Sequence, residues 1–92
     1  MKTYELVFTQ SYTRHAKRFM RKHPGLRGQY RKTLELLELN PFHPSLRLHK
    51  LKGSLDKVHS ASINMSYRIA LDFLVEGRTI IPIDVGPHDQ VY

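Results

Sequence analysis

The stretch HSASINMSYRIALDF, residues 59–73, decides how this chain folds. From Tyr67 onward apolar residues recur at every second position, which is the period of a β-strand with one face in the core. This apolar set is Tyr67, Ile69, Leu71 and Phe73. The turn residues Asn64-Met65-Ser66 separate this strand from an earlier alternating run. We therefore predict a β-hairpin whose strands span residues 57–63 and 67–74.

Two helices are predicted before the hairpin. Residues 4–8 are aromatic and branched, and indicate a short first strand. From a predicted N-cap at Ser11, apolar residues recur at three- and four-residue spacing until His23-Pro24-Gly25. A second helical pattern runs over residues 26–37 and stops at Asn40-Pro41. The short link predicts an antiparallel pair of helices.

A last strand is predicted over residues 79–85, after the turn at Glu76-Gly77. Pro82 lacks a backbone donor, so we expect a local irregularity in that strand. Residues 41–51 read as an irregular segment anchored by leucines. The sequence predicts an α+β fold of order β-α-α-β-β-β. The helix hairpin packs on one face of a small, mainly antiparallel four-stranded sheet, and residues 1–92 form a single domain.

The composition indicates a polyanionic partner. The chain has 15 Lys and Arg against 8 Asp and Glu, a net charge of +7. Nucleic acid is the commonest partner for such a charge, and an acidic protein or an anionic membrane surface would also satisfy it. The absence of cysteine excludes disulfides, thiolate metal sites and a thiol nucleophile. The sequence shows no secretory signal and no apolar run of about 20 residues, so we expect a cytoplasmic protein with no membrane partner.

Arg68 is the strongest candidate for a functional cation. Strand alternation directs its side chain away from the helices. If residues 48–52 are extended, Lys50 and Lys52 point away from Leu51 and converge on the same face as Arg68. Guanidinium and ammonium groups gathered in this way suit phosphate recognition. The alternative is that these are ordinary solubilising residues.

Histidines supply the candidates for proton transfer. His88 and Tyr92 follow the last strand, where the imidazole can pass a proton and the phenol ring can stack on a base. A solvated histidine and a hydrophobic plug are the alternatives for these two residues. His49 lies beside the lysines and is either a base or a loop residue. The six histidines show no metal-ligand spacing, so we expect no metal and no cofactor.

Three stretches resemble the RelE/ParE superfamily of type II toxins. They are LHKLKG (48–53), HSASINMSYRIALDF (59–73) and IDVGPHDQVY (83–92). The resemblance in element order covers the whole chain and favours the RelE/YafQ-like branch of mRNA interferases. That branch implies a metal-independent, ribosome-dependent endoribonuclease in which the RNA 2′-hydroxyl attacks the scissile phosphate.

The resemblance also implies roles for individual residues. Arg68 would neutralise the phosphate, and His88 would act as the general acid. Tyr92 would stack on a base or orient the nucleotide. The general base stays open between His49 and a lysine. The cations implied to bind RNA phosphate are Lys50, Lys52 and Lys57.

Partners and alternatives follow from the same resemblance. The implied partners are the ribosome, mRNA and a cognate antitoxin that is acidic and partly disordered. The ParE branch shares the fold and inhibits DNA gyrase, which is the first alternative. The second is a non-catalytic module that only binds nucleic acid.

Overall fold

A computed structural model describes residues 3–51, 58–74 and 77–88 of the chain. These residues form a sheet of five strands with a helix hairpin on one face, which confirms the predicted α+β fold. The elements are β1 (Glu5–Leu6), α1 (Gln10–Lys22), α2 (Arg27–Leu39), β2 (His49–Lys50), β3 (Val58–Ser62), β4 (Tyr67–Leu74) and β5 (Thr79–Pro87). The strand order is β1-β5-β4-β3-β2. β1 pairs with β5 in parallel, and the other pairs are antiparallel.

The strand count is one more than predicted, because residues 49 and 50 pair with β3. His49 lies opposite Ser60 and Lys50 opposite His59. β1 is shorter than the predicted strand over residues 4–8. Its predecessor Tyr4 donates its N–H to Glu38 O, at the end of α2, over 3.0 Å. In the described residues no helix is both long and apolar enough to cross a membrane.

Each helix owes its bounds to local chemistry. α1 begins after Thr9, whose Oγ1 accepts the Tyr12 N–H at 3.1 Å, so the N-cap lies two residues before the predicted Ser11. α1 ends at Lys22 with His23 as its C-cap, and Pro24 then starts a short 3₁₀ turn that leads into α2. The buried side chains of α1 are Tyr12, Ala16, Phe19 and Met20, spaced three or four residues apart.

The core lies between the helices and the apolar face of β4, which we call the helix face of the sheet. Ile69 and Leu71 have no solvent exposure, and neither do Leu37 of α2 and Ile80 of β5. The predicted alternation of β4 is therefore confirmed. The opposite side of the sheet, which carries Arg68, is called the outer face below.

Pro82 lies at a β-bulge, as the sequence predicted. Ala70 pairs with Asp84 but Leu71 pairs with Pro82, so Ile83 is one extra residue on β5. β1 ends before it reaches Pro82, since its last pair is Leu6 with Ile80. Pro82 therefore lacks its N–H at a position where β1 offers no carbonyl to accept it, so no hydrogen bond between β1 and β5 is lost.

A pair of tyrosine hydroxyls joins the two helices. The hydroxyl oxygens of Tyr12 and Tyr30 are 2.6 Å apart. Burial raises the pKa of Tyr12 far above its usual value near 10, and the neighbouring Tyr30 raises it further. Burial also raises the pKa of Tyr30. Both hydroxyls therefore stay protonated in the folded protein at any ordinary pH.

This pair predicts a loss of stability in alkali. A group whose pKa is raised by folding stabilises the protein below its unfolded pKa, near 10, and that stability is lost as the pH rises. At pH 8 the unfolding free energy of the wild type should be about 1 kcal/mol higher than that of Tyr12→Phe, because the variant lacks the hydrogen bond between the two hydroxyls. Above pH 10 the unfolded tyrosine ionises, at about 1.4 kcal/mol per pH unit, so the difference should vanish near pH 11. Urea unfolding at pH 8, 10 and 11 measures it, and a constant difference would contradict this account.

Candidate functional site

Arg68 is a buried cation on the outer face of the sheet. It pairs with Ser62 on one side and Gly86 on the other, and it is only 5% exposed. Its Nε donates a short hydrogen bond to Ser60 Oγ, on β3. Its Nη2 donates to the carbonyl oxygen of Arg47 at 3.1 Å. The side chain therefore lies across β3 and ends beside β2, with charge-assisted hydrogen bonds that offset the cost of burial.

The carbonyl of Arg47 holds this cluster together. Arg47 follows the 3₁₀ turn Pro44–Leu46 and has a left-handed backbone, with φ 47° and ψ 44°. Its oxygen lies 3.1 Å from Arg68 Nη2 and 3.0 Å from His49 Nδ1. A left-handed conformation costs a non-glycine residue about 1 kcal/mol or more. The two hydrogen bonds to a buried charge and an imidazole offset that cost.

The geometry indicates the tautomer of His49. Its Nδ1 lies 3.0 Å from the Arg47 oxygen and 3.3 Å from Arg68 Nη2. The oxygen is an acceptor and Arg68 is a donor, so a proton on Nδ1 satisfies the shorter contact. Arg68 Nη2 then donates to the same oxygen rather than to the ring. The neutral imidazole therefore carries its lone pair on Nε2, which is the nitrogen suited to accept a proton from a substrate.

His88 shares the outer face with Arg68 and His49. It follows β5, and its N–H donates to Ser66 O at 2.8 Å, which continues the pairing of Gly86 with Arg68. Alternation then gives His88 the same face as Arg68. Its side chain is exposed. His49 lies in β2 and His88 follows β5. Because β3 and β4 lie between these two strands, the backbones of β2 and β5 are roughly 14 Å apart.

The register gives Lys50 a different position from the one predicted. His49 pairs with Ser60 on the outer face, so Lys50, paired with His59, belongs to the helix face at the edge of the sheet. The prediction assumed that residue 50 shares a face with Arg68, but the residue that does so is His49. The predicted sites at Lys52, Lys57 and Tyr92 lie outside the described residues.

Two members of the cluster were not identified from the sequence. Ser60 is fully buried and accepts the Nε–H of Arg68. The sequence did contain a signal for Ser60, because it is a small polar residue on the strand that pairs with the strand of Arg68. The carbonyl of Arg47 had no signal, because left-handed backbone is not typical of arginine. Among residues 3–51, 58–74 and 77–88, no group of three or more His, Asp or Glu side chains is arranged to hold a metal ion.

Several solved structures share this fold. A chain of the E. coli DinJ-YafQ toxin-antitoxin complex aligns with a TM-score of 0.77 and 14% identity over 98% of both chains. A metal-bound toxin from Helicobacter pylori aligns at 0.71 and 16% identity over 100% of both chains. A YoeB/ParE toxin from Agrobacterium tumefaciens aligns at 0.71 and 19% identity, over 91% of this chain and 98% of that one.

The fold is therefore that of RelE/ParE-type toxins, which confirms at the level of structure the resemblance carried by the three sequence stretches. No family model matches the sequence, and no curated protein matches it.

The left-handed residue gives a test of the cluster. Glycine adopts this backbone without cost, so Arg47→Gly should keep the Arg47 carbonyl in place and the His49 proton on Nδ1. Valine strongly disfavours it, so Arg47→Val should lower the unfolding free energy by about 1 to 2 kcal/mol and release the tautomer. Imidazole ¹⁵N shifts report the tautomer. Equal effects of both substitutions would mean that the arginine side chain, and not its carbonyl, organises the cluster.

Proposed function

We propose that this protein is the toxin of a type II toxin-antitoxin pair and a metal-independent endoribonuclease that cleaves mRNA on the ribosome. The observation that carries the proposal is the cluster of Arg68 and His49 on the outer face, where both groups contact one carbonyl. The net charge of +7 supports a nucleic-acid substrate. The fold shared with toxin chains supports the toxin role.

The chemistry requires one base, one acid and one cation. His49 Nε2 removes the proton of the ribose 2′-hydroxyl, whose oxygen attacks the adjacent phosphorus. The bond from phosphorus to the 5′-oxygen breaks, which leaves a 2′,3′-cyclic phosphate. His88 donates a proton to the departing 5′-oxygen. The protons balance, since one histidine gains what the other loses.

Arg68 would act through its field and through His49. At 5% exposure the guanidinium lies beneath the surface, so its positive charge is screened less than that of an exposed residue. That charge favours the extra negative charge on the phosphate oxygens in the transition state. Lys52, Lys57 and Tyr92 would bind RNA phosphates and stack on a base, and Lys50 would contact RNA from the edge of the sheet.

An acidic, partly disordered antitoxin is the proposed protein partner. A groove with a volume of about 730 Å³ runs between α1 and α2. Its floor is apolar, with Ala16, Met20 and Leu34, and its cations are Lys17, Arg21 and Arg27. Among the described residues that line the groove, none is acidic. An amphipathic acidic segment would complement both the floor and the charges.

A second candidate is a ParE-like inhibitor of DNA gyrase, and the low exposure of Arg68 favours it. A guanidinium that is 5% exposed and already hydrogen-bonded needs movement before it can touch a phosphate. A toxin that acts by binding needs no such contact. The non-catalytic nucleic-acid-binding module is favoured by the same observation.

Substitution of the two histidines tests the ribonuclease. Induced expression of wild type should stop growth, and mapping of RNA 5′ ends should show new breaks inside translated codons. His49→Gln and His88→Ala should each lower cleavage by about 10²- to 10⁴-fold, the usual contribution of an acid or base. The matched control is His43→Asn, an exposed histidine whose Nδ1 accepts the Ser45 N–H, a bond that asparagine can replace.

The outcomes separate the candidates. Cleavage that survives both substitutions would overturn the assignment of acid and base. Growth arrest with intact mRNA, together with loss of supercoiling by purified gyrase, would favour the second candidate. Arg68→Lys is compared with Arg68→Ala by thermal unfolding, so that a failure to fold is not mistaken for lost chemistry.

A further inference from the structure

A second basic cavity lies at the side of the molecule, between α1 and the C-terminal half of β5. Its volume is about 330 Å³. Its walls are formed by His15, Arg18, Phe19, Lys22 and His23 of the helix and by Asp84, Val85, Gly86 and Pro87 of the strand. Five of the nine described residues that line it are ionisable, and four of those five belong to α1 or its C-cap.

The cavity exists because β1 is short. In the described residues β1 pairs only with Thr79 and Ile80, so the later part of β5 has α1 beside it instead of a strand. His15 connects the two elements. Its Nε2 lies 2.9 Å from Val85 O and 2.8 Å from Asp84 Oδ1. This contact fixes the distance between the helix and the strand.

The charges in the cavity favour an anion. Arg18 and Lys22 are four residues apart and lie on one face of α1. Among the described residues that line the cavity, Asp84 is the one acidic residue, and its Oδ1 lies 2.8 Å from His15 Nε2. In the part of the chain that the structure describes, the cavity walls thus hold two lysine or arginine side chains and one carboxylate. A phosphate group would supply the missing negative charge.

Phe19 and His23 contribute aromatic rings to the cavity lining. The His23 ring lies 4.5 Å from the Phe19 ring and 5.0 Å from the Tyr67 ring, measured between centroids. The Tyr67 hydroxyl lies 3.5 Å from His23 Nδ1. These contacts hold His23 in place beside Lys22. Phe19 is only 8% exposed, so the partly exposed His23 is the ring on which a base would stack, next to the Lys22 cation.

The cavity is next to the candidate site along β5. Its wall residues Gly86 and Pro87 pair with Arg68 and Tyr67, and His88 follows them directly. We infer that this cavity binds a phosphate of the RNA strand beside the linkage that His88 would protonate. The inference rests on the proposed function, because it takes the ligand to be that RNA. The site would hold the strand while the outer face does the chemistry.

Binding of RNA that cannot be cleaved tests the inference apart from catalysis. A 2′-O-methyl RNA hexamer lacks the attacking hydroxyl, so its affinity reports binding alone. Arg18→Ala with Lys22→Ala should weaken this affinity at least tenfold at 0.1 M salt. If both cations meet phosphate, the slope of log K against log salt should fall by about 1.4.

The matched control is Arg31→Ala with Lys32→Ala, which removes the same charge from exposed positions on α2. It should change the affinity by less than about threefold, since distant surface charges are largely screened at this salt concentration. Equal losses in the two double variants would overturn the inference, because they would show attraction by net charge only.

Titration with inorganic phosphate locates the site. Amide and imidazole shifts should concentrate at His15, His23 and residues 84–86, and Asp84→Asn should tighten phosphate binding up to about fivefold. The hexamer should bind more tightly than phosphate alone, which would identify RNA rather than the free ion as the ligand. A polyglutamate peptide that binds here more tightly than the hexamer would assign the cavity to an acidic protein, and would overturn the inference. If the hexamer binds but mRNA is not cleaved in the growth experiment described above, the nuclease proposal is refuted and this cavity remains a binding site.

Discussion

The burial of Arg68, which is only 5% exposed, is the constraint on which the outer face of the sheet depends. Arg68 sits in the central strand of the sheet, where its charge would be costly without partners. Ser60 and the Arg47 carbonyl meet that requirement from two other segments of the chain. The pairing of β2 with β3 brings those segments close. The short edge strand β2 is therefore tied to the same polar cluster that positions His49.

The sequence predicted the elements that have a clear period or a clear boundary. β4 has the predicted bounds because eight residues alternate without interruption, and the two helices follow from apolar spacing that ends at prolines. Pro82 predicted the local irregularity of β5, which is a bulge, because proline cannot donate a backbone hydrogen bond. β2 was missed because two residues contain no period. The predicted face of Lys50 was wrong for the same reason, since a one-residue error in register exchanges the two faces of a strand.

The sequence selected two side chains of the candidate site that the structure brings together, but it did not indicate the geometry that joins them. Arg68 and His49 were both selected from the sequence, and they lie 3.3 Å apart through Nη2 and Nδ1. Their common partner is a backbone atom, which carries no residue identity and so leaves no mark in the sequence. The burial of Arg68 was also hidden, because alternation gives the face of a side chain but not what covers that face.

The contact between His15 and β5 has a consequence for how copies of this protein behave in a crowded solution. Both backbone groups of Val85 are engaged by side chains, its carbonyl by His15 and its N–H by Asp84 Oδ1 at 2.9 Å. A strand whose border is occupied in this way offers little template for another chain to extend the sheet. The same few atoms that brace the helix therefore also protect this part of β5 against edge-to-edge pairing with another copy.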